Sequence, residues 1–146
     1  MHYEHILCAV GLGSRTADIL EQAAGMAQRV KAKLSVVHVL EHTPVIYGAG
    51  ELSIPLDNNL EEKLTEIAQE MLAKFSESVG ITPDQQYVRH GSVKIQVIEL
   101  AKEIKADLIV VGRQEMHGTE LLLGSTANAI LHAATCDVLA VQPALS

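Results

Sequence analysis

The residues of this chain whose types and spacing could do chemistry lie between Leu108 and Thr126. An apolar run, Leu108-Ile109-Val110-Val111, ends in Gly112, and Gly124-Ser125-Thr126 follows at the mouth of a helical pattern. A glycine at a strand end lets backbone approach a ligand without an intervening Cβ. First-turn N–H groups beside hydroxyls attract phosphate through hydrogen bonds and the helix dipole. The chemistry implied is recognition of a phosphorylated small molecule; ordinary turn formation and helix capping is the competing account of the same residues.

A second glycine cluster, Gly11-Leu12-Gly13-Ser14, follows the first apolar run. In an open parallel sheet, ligands collect beyond the carboxyl ends of the strands where strand order reverses, so neighbouring first and fourth strands would aim both loops at one crevice. The spacing excludes two nucleotide-site types. G-x-x-x-x-G-K-[ST] is absent, and Gly11-x-Gly13 lacks the later glycine of a dinucleotide fingerprint. Arg113, Glu115 and His117 sit in the loop after Gly112, and His5 and His38 fall in strand patterns. No Ser–His–Asp, Cys–His or paired-carboxylate set stands out, so no catalytic residue and no metal ligand is assigned.

Positioning these groups requires strands and helices in alternation. Five apolar runs predict strands at 5–10, 33–40, 86–90, 107–111 and 137–141, and three are almost continuously apolar, as strands covered on both faces are. Between them, Leu20, Ala23, Ala24, Ala27 and Val30 define a buried helical stripe after Ser14 as N-cap, with Gly25 allowing close approach to the sheet. Leu60, Leu64, Ile67, Met71, Phe75 and Val79 define a second stripe, read as core-facing, with Gly80 as C-cap. Two more helices are marked by Val93, Val97, Leu100, Ala101 and Ile104, and by Leu123, Ala127, Ile130, Leu131 and Ala134. The alternation predicts an α/β fold with parallel strands, right-handed crossovers and helices on both faces, in a single domain over 1–146. The long stretch from Glu41 to Leu56, with Pro44, Gly48, Gly50 and Pro55, is a lid, a partner-binding arm or a surface excursion.

Composition narrows the function classes. The chain has 146 residues, 48% of them hydrophobic, and a formal net charge of −7. That charge repels nucleic acid at long range, and no apolar run reaches the roughly 18 residues that span a bilayer. Met1-His2-Tyr3-Glu4-His5 leads straight into a strand without a signal-peptide pattern, so the expected location is the cytoplasm, away from membranes. Cys8 and Cys136 form no paired motif and read as reduced, small hydrophobes.

Taken end to end, the chain resembles the universal stress protein family. The carriers are 3–10 (Tyr3 to Val10), 32–39 (Ala32 to Val39), 106–112 (Ala106 to Gly112) and the closing 136–143 (Cys136 to Pro143). The resemblance implies a five-stranded parallel sheet in order 3-2-1-4-5 and a homodimer with the last strands, Val138–Val141, paired antiparallel. That strand's apolar, uncharged edge independently asks for cover. Nucleotide-binding members carry G-x2-G-x9-G-[ST] after strand four. Here Gly112 and Gly124-Ser125 answer the ends, Glu115 stands at the middle glycine, the loop is one residue shorter, and Gly118 lies nearby. Gly11 stands where many members have an aspartate. The implied nucleotide site is Gly11, Val39, Gly112, Arg113, Gly124, Ser125 and Thr126, taking ATP or AMP with Mg²⁺. The leading expectation is a dimeric regulatory protein of the stress response with an unidentified protein partner. The alternatives are a dimeric scaffold without a nucleotide site and, at most, a slow ATPase using Arg113, Glu115 or His117.

Overall fold

The apolar runs become five parallel strands in a computed structural model that describes residues 2–41, 58–113 and 124–142. In chain order the elements are β1 (His5–Ala9), α1 (Thr16–Val30), β2 (Lys33–Leu40), α2 (Asn58–Glu77), β3 (Gln86–His90), α3 (Val93–Glu103), β4 (Leu108–Gly112), α4 (Ser125–Ala133) and β5 (Asp137–Val141). The strand order is β3-β2-β1-β4-β5, with every neighbouring pair parallel.

Period-two alternation sorts the strand side chains onto two faces. Ile6, Cys8, Val36 and Val110 join Ile19, Leu20 and Ala23 of α1 and Leu72 of α2 in one core layer. Leu7, Ala9, Val37, Ile109 and Val111 join Val97 and Leu100 of α3 and Ala127 and Ile130 of α4 in the other. Helices therefore cover both faces, and the crossover from one face to the other comes between β3 and β4. At the amino ends of the strands, the Asp107 carboxylate accepts the Glu4 and His5 backbone N–H groups at 2.9 and 3.1 Å, fixing β1 against β4.

Three of the four helices, α1, α2 and α3, end by one rule. Residues Lys31, Gly80 and Lys105 are left-handed, with φ of 59°, 78° and 58°. After each, a backbone N–H reaches back five residues: Ala32 to Ala27, Ile81 to Ser76 and Ala106 to Ala101. This is the Schellman stop, with Gly80 at its left-handed position as expected and lysines filling it elsewhere.

Three local expectations change. The N-cap of α1 is Arg15 rather than Ser14, and makes no side-chain cap bond. A Cβ at Gly25 would meet only the Arg29 guanidinium, at 3.8 Å, so Gly25 is not where the helix approaches the sheet. On α2 the stripe read as core-facing is split. Phe75 and Val79 pack against the core, but Ala68 and Leu72 occupy the buried side while Leu60, Leu64, Ile67 and Met71 are exposed. Helical periodicity records that apolar residues share a face; it does not record which face the sheet takes.

Candidate functional site

Three strand ends meet at the carboxyl edge of the sheet. Ala9 lies opposite Val37 of β2 and Val111 of β4. Gly11 comes two residues after Ala9, as Val39 comes two after Val37 and Arg113 two after Val111. The Val10 N–H donates to the Val37 carbonyl, and the His38 Nδ1–H donates to the Val10 carbonyl, both at 2.9 Å, so the chain is held until just before the exposed Gly11. Val39 and Gly112 are buried in their strands.

The start of α4 is pinned to the end of β4. Gly124 donates its N–H to the Arg113 carbonyl at 2.8 Å, and Arg113 donates its own to the Val141 carbonyl at 2.6 Å. Its guanidinium reaches Gln142 Oε1 at 3.3 Å. These bonds hold residues 113 and 124 together, and they engage two of the amides in the expected set. What α4 offers a ligand is its first turn beyond Gly124.

Ser125 and Thr126 line a cavity of about 480 Å³ whose opposite wall is the start of α3, with Gly91, Ser92, Val93 and Lys94. That volume lies within the range of small-molecule pockets. Ser92, the N-cap of α3, makes no side-chain cap bond, and Gly124, the N-cap of α4, has no side chain to make one, so neither first turn is capped by its own N-cap residue. Two helix N-termini and the Lys94 ammonium favour an anion here, while Glu41 on the rim opposes one. Gly91 has φ +126°, a conformation open to glycine, and donates its N–H to the Leu40 carbonyl at 3.0 Å.

Lys94, Gly91 and Ser92 were not in the site read from sequence. A signal existed, because a Gly-Ser pair, Gly91-Ser92, follows β3 and leads into α3, one residue out of step with Gly124-Ser125 at the start of α4. Glu115, His117 and Gly118, and the 42–57 stretch, lie outside the described residues.

Among the described residues, no group of three or more His, Cys, Asp or Glu side chains is placed to hold a metal ion. Cys8 and Cys136 form no disulfide, and burial, reinforced by Asp137 and Asp107, pushes the Cys136 thiol above its ordinary value. Among the described residues no helix is long and apolar enough to cross a membrane.

A five-stranded parallel sheet with helices on both faces and loops gathered at its carboxyl edge defines a small Rossmann-like α/β protein. The chain belongs to the universal stress protein family, whose model matches residues 2–142. It is 50% identical over 141 residues to universal stress protein A homolog 1 of Coxiella burnetii, covering 97% of each chain. Its fold is similar to that of a universal stress protein from Lactobacillus plantarum, with TM-score 0.76, 23% identity and coverage of 97% and 99%. It is also similar to an Archaeoglobus fulgidus universal stress protein solved in complex with dAMP, with TM-score 0.61, 20% identity and coverage of 97% and 100%.

Proposed function

We propose that this chain is a regulatory protein of the stress response that binds an adenine nucleotide at the carboxyl edge of its sheet and works as a homodimer, without chemistry on the nucleotide. The observation that carries the reading is the facing pair of first turns, with Ser125 and Thr126 on one side and Lys94 on the other. Phosphate oxygens would take the hydroxyls, the first-turn amides and the ammonium. The nucleoside would lie toward Gly11 and the Val39 backbone, beside Gly112. The dAMP complex of a similarly folded protein supports an adenine nucleotide as the ligand class. AMP and ATP are the candidates, and Mg²⁺ would accompany ATP to offset the Glu41 charge.

Dimerisation is assigned to β5. It pairs with β4 on one side only, and Val138, Leu139 and Ala140 remain half-buried in the isolated chain. An antiparallel copy would cover this edge.

One observation favours a second reading, a dimeric scaffold with no nucleotide site. The Gly124 and Arg113 amides are already engaged, and the Arg113 guanidinium is bonded to Gln142. Calorimetry with AMP and with ATP–Mg²⁺ up to millimolar ligand separates the two. Saturable heat that Lys94→Glu weakens about tenfold supports the nucleotide reading; no heat at millimolar ligand removes it and leaves the scaffold.

A further inference from the structure

On α2, Leu60, Leu64, Ile67 and Met71 are 45%, 47%, 52% and 39% exposed. Their spacing of four, three and four residues is that of alternating d and a positions of a heptad, a seam rather than scattered surface apolar residues. At 100° per residue the seam lies about a quarter turn around the helix from Ala68 and Leu72, which face the sheet. It is a second apolar face, separate from the one that folds the protein.

We propose that this seam is a self-association surface on which α2 of a second copy lies antiparallel. The charges beside the seam select the occupant. Lys63 and Glu70 are exposed and sit at the two g positions on its outer flank. An antiparallel twin placed so that Leu60 meets Met71 and Leu64 meets Ile67 fills every layer of the seam. In that register, Lys63 of each copy stands about 3 Å along the axis from Glu70 of the other, giving two opposite-charge pairs. A parallel twin would set Lys63 against Ala68 and form neither pair. A self-pairing is therefore matched in both shape and charge. It does not compete with pairing through β5, since α2 packs beside β2 and β3 at the other end of the sheet from β5.

The seam spans only about three helical turns from Leu60 to Met71, so the association is expected to be concentration-dependent. Sedimentation of the full chain over micromolar to millimolar concentration tests it, with Lys63→Glu, Glu70→Lys and Ile67→Glu. All three positions are exposed, and circular dichroism checks the fold. Each charge variant turns two attractive pairs into two repulsive ones and should weaken self-association about tenfold. An equimolar mixture of Lys63→Glu and Glu70→Lys restores both attractive pairs between unlike copies and should associate like the parent chain. Ile67→Glu should abolish the step. The proposal is overturned if the parent shows no charge-sensitive association, or if the mixture behaves as the sum of its parts. The same holds if the seam is covered by the chain's own 42–57 stretch, in which case none of the substitutions would change the mass.

Discussion

Gly25→Ala and Gly91→Ala should move stability in opposite directions, although sequence alone offers no reason to separate them. Gly25 is inside α1, and an added Cβ would touch only the end of the Arg29 side chain, at 3.8 Å. Nothing clashes, so the helix-propensity difference of about 1 kcal/mol in favour of alanine is realised almost whole. Gly91 sits at φ +126°, where an alanine costs about 1–3 kcal/mol in backbone strain, offset by under about 1 kcal/mol from the stiffer unfolded chain. Its Cβ would only touch Gln96 Nε2, at 3.4 Å, so the cost lies in the backbone. With an unfolding entropy of about 0.3 kcal/mol/K for 146 residues, Gly25→Ala should raise Tm by about 3 °C and Gly91→Ala lower it by up to about 7 °C. Differential scanning calorimetry, with urea midpoints as a second measure, reads both. If the two variants shift in the same direction, the backbone account of Gly91 and the open surroundings of Gly25 are wrong.

Further outcomes follow from the polar groups at the two sheet edges. Burial, with some help from Lys33, holds the His5 imidazole below its ordinary value against the opposing Ile104 carbonyl and Asp107. As pH falls through about 6.5 the unfolded chain takes up a proton that the native imidazole refuses, so stability should drop there and level off below the native value. The urea midpoint between pH 8 and 5 should show less of this loss in His5→Gln, and an equal slope in both proteins would remove the assignment. Although burial alone would raise it, the Glu4 and His5 N–H donors bring the Asp107 carboxyl below its ordinary value. Asp107→Asn should then cost about 1 kcal/mol at neutral pH, a loss that vanishes as pH falls through the native value and the parent carboxylate is itself protonated. A deficit that persists at pH 2 would instead point to packing. At the cavity, Lys94→Glu should weaken AMP while leaving the thermal midpoint of the unliganded protein within about 2 °C, because Lys94 is exposed. A large drop in that midpoint would reassign Lys94 to folding.

The strands and helices were legible in the chain because each is a local pattern. Leu108 to Val111 is apolar enough to be buried on both faces, and Ala23, Ala27 and Leu20 recur at the helical period; both read the same whatever surrounds them. Alternation then limits the connections to parallel crossovers, and the family resemblance supplies the strand order that the sheet has. The start of α4 was legible for the same reason, since Gly124-Ser125-Thr126 reads as a helix start in any context. What the tertiary structure alone decided is which local features meet. Lys94 and Gly91 reach the α4 cavity because β3-to-β4 crossover brings α3 beside α4, some thirty residues on in the chain. The Gly124 amide is taken by a carbonyl eleven residues earlier. Likewise α2 carries two apolar faces, and only the sheet's position decides that Leu72 is inside and Ile67 out. Periodicity is a property of one helix, whereas burial is a relation between elements, and the sequence states only the first directly.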